Sequence, residues 1–341
     1  LPWPYRLHRT KRSEAGQVLV EPTRYGSVTV GVEPGWGSDT GLPPPGWEGG
    51  AMQVQAARGR AAAISAVGFM AFGPSIVKKV SMDEMAFVFW RLAVAALFYG
   101  ILLFASGSRL SRDDIRRSTL GGLLFGVNLV FFISAMRRTS AANAVVISSL
   151  QPVVLLAVAG RMFGERPSRA IYGWSVVAFG GVVLAMYGSD ASGVATRQGD
   201  LLALGMMLLF SAYYVASKRA RETVDSANYQ LALTLVALVT VVPFALVMEG
   251  GVALPVGDDW FLIVAMAAVP GAGHLLTNYA HGHTTLTMMS LINLLFTAVA
   301  PLYAWWLVGE RLNGLQALGL GVVMASLAFV VTRPVEVEER A

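Results

Sequence analysis

Apolar residues along this chain gather into long runs separated by short polar breaks, and that spacing predicts transmembrane helices. A helix needs about 17 to 25 mostly apolar residues to cross the hydrocarbon core of a bilayer. Such stretches fall near 61–78, 84–105, 118–136, 141–163 and 170–188, then near 200–218, 227–248, 260–280, 285–308 and 315–332. The breaks hold Gly, Pro, Ser or Asp with charges, as from Ser106 to Arg117, Gly188 to Asp200 and Gly250 to Asp259. That is the composition of interhelical turns, with no room for a separate soluble domain. The expected fold class is an all-α polytopic membrane protein with ten transmembrane helices.

Composition agrees with the pattern. Charged residues make up 14% and hydrophobic ones 55% of the 341 residues, with a mean hydropathy of +0.58; a soluble domain carries about a quarter charged residues. The net charge of +5 lies mostly in the short segments between apolar runs. Nucleic-acid binding would need a continuous basic face with stacking aromatics. With no cysteine in the chain, disulfides, thiolate metal sites and cysteine nucleophiles are excluded.

Lysines and arginines orient the helices. With the N-terminus inside, cytoplasmic segments carry thirteen, led by Arg109 to Arg117 and Lys218 to Arg221, against six on the other side. The positive-inside bias therefore places both termini in the cytoplasm. The first fifty residues differ: Pro43-Pro44-Pro45 and Gly49-Gly50 stand in a stretch without a spanning run, and the cluster Arg6, Arg9, Lys11, Arg12 precedes no signal-peptide core. Met52, followed by Arg58 and Arg60 and then the first apolar run, is the expected natural start, with the preceding stretch mis-assigned upstream sequence or a disordered tail, and a regulatory tail as the alternative. Abundant Ala, Gly, Val and Arg suggest a GC-rich bacterial gene and hence the bacterial plasma (inner) membrane.

Sliding the chain on itself gives one good register, at an offset of 145. Ala135, Thr139, Ile147, Leu150 and Gly164-Glu165-Arg166 fall on Ala280, Thr284, Ile292, Leu295 and Gly309-Glu310-Arg311. Each half holds five spans, and an odd number inverts the second half. The organisation expected is a tail (1–57), a first repeat (58–190), a second (199–333) and a cytoplasmic C-terminal tail (334–341). Inverted repeats with a site at their interface are a transporter architecture.

The chain resembles the EamA-type members of the drug/metabolite transporter superfamily. The resemblance rests on Phe72-Gly73-Pro74-Ser75 to Lys78, Phe89-Trp90-Arg91, Thr139-Ser140-Ala141-Ala142 leading to Pro152 and Gly164-Glu165, Tyr213-Tyr214 to Lys218, and Gly309-Glu310-Arg311. It covers about residues 58–333. One departure is Thr297, where the family often has proline, with Pro301 one turn later; this moves the expected kink of the ninth span. The resemblance implies an exporter or exchanger of a small polar metabolite such as an amino acid, working by alternating access at the repeat interface. Its partners would be that solute and the lipid bilayer, not nucleic acid, with a homodimer left open and no cofactor or metal implied.

The candidate substrate-binding residues are Arg91, Asn128, Ser148, Gln151, Tyr213, Tyr214, His274, Asn278 and Asn293. Arg91 lies roughly 10 Å along the second span, where a charge is costly; it either snorkels outward or bonds a backbone carbonyl, or it contacts an anion or carboxylate. Asn128 and His274 sit one position apart in the repeat register, near the midplane. Val269-Pro270-Gly271-Ala272-Gly273 before His274 should kink its helix and free carbonyls; a lining His competes with one held by structural hydrogen bonds. Ser290, Asn293 and Thr297 form a polar stripe, and Ser148 matches Asn293, with Gln151 one turn on and Asn143 nearer the end of its span. Such stripes line a cavity or join helices. Tyr213 and Tyr214 either stack a solute or pack. His281 and His283 read as ordinary loop histidines, and the Gly-Glu pairs as structural, placing a carboxylate before helix starts at Ser168 and Asn313. A membrane enzyme would need reacting groups within the spans, and none has a deep Asp or Glu; a channel would need repeated filter ligands. A receptor or scaffold without transport is the remaining alternative.

Overall fold

The computed structural model describes residues 11–12, 18–19, 47–77, 79–136, 138, 147–187, 196–309, 313–333 and 336–337. The chain divides into a small unit holding residues 1–56 and 339–341 and a large one of residues 57–338. In the small unit β1 (Lys11–Arg12) pairs antiparallel with β2 (Val18–Leu19).

The helices follow the apolar runs. They are α1 (Trp47–Met70), α2 (Gly73–Val77), α3 (Glu84–Ala105), α4 (Arg112–Met136), α5 (Gln151–Phe163), α6 (Arg169–Tyr187), α7 (Arg197–Ala220), α8 (Ser226–Glu249), α9 (Asp259–His281), α10 (Leu286–Asn293), α11 (Leu295–Val308) and α12 (Gly314–Val331). Eight stretches among the described residues are long and apolar enough to cross a bilayer, α1–α2 and α10–α11 each counting as one. The fourth and fifth expected spans appear as the shorter apolar helices Ile147–Phe163 and Arg169–Ala185; residues 141–146, including Asn143, lie outside the described residues. Phe104 and Val247 are 87% and 85% exposed. Apolar surface of that kind is stable against lipid chains, and the protein is a multi-pass membrane protein.

Local chemistry sets the breaks. Asp225, Thr285 and Asn313 cap α8, α10 and α12 by accepting N–H groups of Ala227, Met288 and Gln316, satisfying donors a helix start leaves free. The ninth expected span parts at Leu294, ahead of Thr297, whose hydroxyl donates to the Leu294 carbonyl at 2.7 Å. α9 runs unbroken through Pro270, and the carbonyl of Gly271 accepts a hydrogen bond from Tyr99 at 2.8 Å.

Two packing seams organise the large unit. α4 lies between α7 and α8, where its small residues admit α8 closely. α6 packs along α12; there a Cβ on Gly319 would come within 2.3 Å of the Ala185 nitrogen and 2.6 Å of the Gly181 oxygen. In lipid, where helices gain little by hiding apolar surface from one another, such close backbone approach supplies the attraction. A short antiparallel pairing of β3 (Glu165–Arg166) with β4 (Glu336–Val337) completes the unit.

Candidate functional site

The residues that interrupt the apolar runs converge on one cavity of about 150 Å³. Its polar lining is Arg91 from α3, Asn128 from α4, Ser148, Gln151 from α5, His274 from α9 and Asn293 from α10. Six of the nine residues singled out from sequence therefore meet in one place. Tyr213, Tyr214 and Asn278 lie outside the lining and support it from behind. Tyr213 donates to Asn278 Oδ1 at 3.2 Å, and Asn278 Nδ2 donates to Gln230 Oε1 at 2.5 Å. Asn278 is fully buried, so this network holds α7, α8 and α9 together.

Fixed hydrogen bonds decide what the cavity offers. Asn128 Nδ2 donates to the Met206 carbonyl at 2.8 Å, which leaves its Oδ1 as an acceptor. Tyr214 donates to Asn293 Oδ1 at 3.4 Å, and Asn293 Nδ2 donates to Gln151 Oε1 at 2.9 Å. Gln151 Nε2 is then a buried donor, and His274 Nδ1 a buried ring nitrogen whose role depends on its tautomer; neither has a partner among the described residues. The His274 ring meets Phe125 edge to face at 4.9 Å.

Arg91 is 6% exposed and is the one formally charged side chain of the lining among the described residues. Arg91 lines this cavity and a second hollow of about 10 Å³ beside it. Gln230, Thr234 and Tyr99 share that second hollow, whose size suits about one water. Sequence reading passed over Gln230 and Thr234, though their i, i+4 spacing in an apolar span is a detectable polar stripe. It also missed the apolar walls: Met70, Met206, Met207 and Met266 face the cavity with Phe125, Phe132, Phe210 and Phe296. Nothing in periodicity separates such residues from packing ones.

The end of the helices carrying residues 281–287 is held by charged groups. Glu165 is 3% exposed and accepts the N–H groups of Leu286 and Thr287 at 2.5 and 2.7 Å. Lys218 donates to the carbonyls of His281 (3.0 Å) and Thr284. The Glu165 carboxylate thus serves α10, not the helix start after Ser168 that follows it in sequence. Ser168 supplies its own hydroxyl there, to Ile171 at 3.4 Å. His281 is likewise no loop residue: it is fully buried, its ring edge-on to Tyr214 at 4.7 Å. Among the described residues no group of three or more His, Asp or Glu could hold a metal ion.

The model of the EamA-like transporter family matches the chain twice, over residues 57–187 and 197–332. The pseudopaline exporter CntI of Pseudomonas aeruginosa (strain UCBPP-PA14) is 22% identical over 265 residues, 76% of this chain and 91% of the relative. The uncharacterized transporter YxxF of Bacillus subtilis (strain 168) is 22% identical over 74% of this chain and 83% of its own. One solved crystal structure shares the fold, with a TM-score of 0.68 at 18% identity over 82% of this chain and 96% of that one.

Proposed function

Since the chain belongs to the EamA-like transporter family and is a drug/metabolite-type membrane transporter, we propose that it exports or exchanges a small polar metabolite, such as an amino acid, by alternating access. The cavity is its substrate site in this reading. Arg91, Asn128, Ser148, Gln151, His274 and Asn293 contact the solute, and Tyr213, Tyr214 and Asn278 position them. The helices form ten spans as two inverted five-helix repeats, with both termini in the cytoplasm of a bacterial plasma membrane.

One observation carries this reading. The walls come from both family-matched segments: Arg91, Asn128 and Gln151 from the first, His274 and Asn293 from the second. A site shared between two halves changes its access when one half rocks against the other. Export is favoured because the Pseudomonas aeruginosa relatives are exporters by name. The test is counterflow of radiolabelled solutes in liposomes holding the purified protein. Accumulation of a loaded solute supports the reading. No flux of any solute across a broad metabolite panel would favour a receptor or scaffold.

A further inference from the structure

We propose that the cavity selects solutes of net negative charge, an amphipathic carboxylate, with Arg91 as the residue that reads the charge; this rests on the transport reading above. A guanidinium within a spanning helix costs about 2.5–3.5 kcal/mol on the insertion scale and is ordinarily matched by a counter-charge. Arg91 has none. No Asp or Glu lines either hollow that it faces, and it makes no hydrogen bond or ion pair among the described residues. At the start of its helix Asp83 and Glu84 stand about two turns from Arg91, and the carboxylates reaching that end from other helices are engaged there: Glu249 accepts the N–H groups of Met85 and Ala86 at 2.8 and 3.1 Å, and Asp259 accepts from Ser81 at 3.3 Å.

The neutral groups point the same way. Gln151 Nε2 is a buried donor lacking an acceptor among the described residues, and a planar guanidinium and an amide that line one cavity suit the two oxygens of a carboxylate. Opposite charge on the ligand meets neutral acceptors alone among the described lining residues, such as Asn128 Oδ1 and Ser148 Oγ. Within the small polar metabolites of that reading, a deaminated or N-acylated amino acid therefore fits better than a free one, whose ammonium is poorly served. Met70, Met266 and Phe125 give the remainder of such a solute an apolar wall. The cavity volume, about 150 Å³, is that of a site able to take a benzene-sized group.

A series with one body and different head groups tests this: hydrocinnamate, hydrocinnamide, phenylpropylammonium and phenylalanine, measured by calorimetry on the purified protein in uncharged maltoside detergent. Hydrocinnamate should bind at least about tenfold tighter than the amide, the scale of a charge-assisted hydrogen bond. Phenylalanine should fall below hydrocinnamate, and the ammonium should not bind. Arg91→Gln should bring carboxylate and amide to equal affinity, while Arg91→Lys keeps the preference at reduced strength. Equal binding of amide and carboxylate by the natural protein, phenylalanine as the tightest ligand, an unchanged preference in Arg91→Gln, or no binding by any of the four would overturn the proposal. Should Arg91→Gln fail to yield monodisperse protein, the natural-protein series decides. Carboxylate preference without flux in liposomes would sink the transport reading and leave the charge assignment standing. Flux of neutral or cationic solutes without carboxylate preference would do the reverse.

Discussion

The carboxylate of Glu165 accepts the backbone N–H of Leu286 at 2.5 Å across 121 residues of sequence. The other oxygen takes Thr287 at 2.7 Å, and the Thr285 hydroxyl takes Met288 at 3.2 Å. Three donors of the first turn of α10 are thus satisfied where water is scarce. Lys218 meets the carbonyls of the preceding turn, so each charge sits at the helix end whose dipole favours it. The relation is matched on α3, whose N-terminus is served by Glu249 from the other family-matched segment.

Glu165→Gln should therefore destabilise the protein, because one acceptor becomes an NH₂ facing an N–H. The expected loss is about 1–3 kcal/mol for a buried donor left unpaired. Thermal melting followed by size-exclusion chromatography should show an earlier transition for Glu165→Gln and for Glu249→Gln. An unchanged melt would mean that water replaces the carboxylate.

Gly319→Val should harm the protein through shape alone. Backbone atoms, which cannot rotate aside, stand 2.3 to 2.7 Å from the added Cβ. Separating α6 from α12 forfeits the close contact that joins them, and overpacking costs about 1–3 kcal/mol. Membrane abundance should fall, while Gly321→Val, with nothing within 4 Å of its Cβ, should leave it near normal.

How far sequence predicted this arrangement differs by element. Hydrophobic run length located α3, α4, α7, α8 and α9 within a few residues at most boundaries, because lipid imposes both length and apolarity. The break at Leu294 was not legible, since it carries no proline or glycine of its own. Polar residues in apolar runs pointed to Arg91, Asn128, Ser148, Gln151, His274 and Asn293, because each is costly there without a role. The same signal could not separate these from Asn278, whose partners Tyr213 and Gln230 lie on other helices. Nor could it say that Glu165 would serve a helix 121 residues away: a capping carboxylate has the same sequence signature whichever helix it caps.

Topology has a direct test. The Lys/Arg asymmetry predicts that a phosphatase fused after Arg340 stays inactive and a fluorescent protein fused there is bright. Activity of the phosphatase fusion alone would place the C-terminus outside and contradict an even number of spans.

His274→Ala should lower transport at least several-fold with melting temperature and membrane abundance near normal. The side chain lines the cavity, and its Nδ1 has no protein partner to orphan. The ring does pack on Phe125, so His274→Phe should keep the packing and still lose transport. A His that mattered only for packing would show the opposite: poor folding in the alanine variant and rescue of both properties by phenylalanine.

Tyr214→Phe tests whether groups outside the lining set what the cavity offers. The Tyr214 hydroxyl donates to Asn293 Oδ1, which turns Asn293 Nδ2 toward Gln151 Oε1 and leaves Gln151 Nε2 as the free donor. Without the hydroxyl both amides can reverse together, keeping their mutual hydrogen bond while presenting Gln151 Oε1 to the solute. An anionic head group would then face an acceptor in place of a donor. The geometry of the ring is unchanged, so folding should hold, with a stability loss of at most about 1 kcal/mol for one neutral hydrogen bond. The half-saturating concentration of a carboxylate solute should rise about tenfold, and the Tyr214→Phe, Gln151→Ala double variant should lose no more than Gln151→Ala alone. Additive losses in that cycle would show that Tyr214 acts on the solute by some route other than the orientation of Gln151.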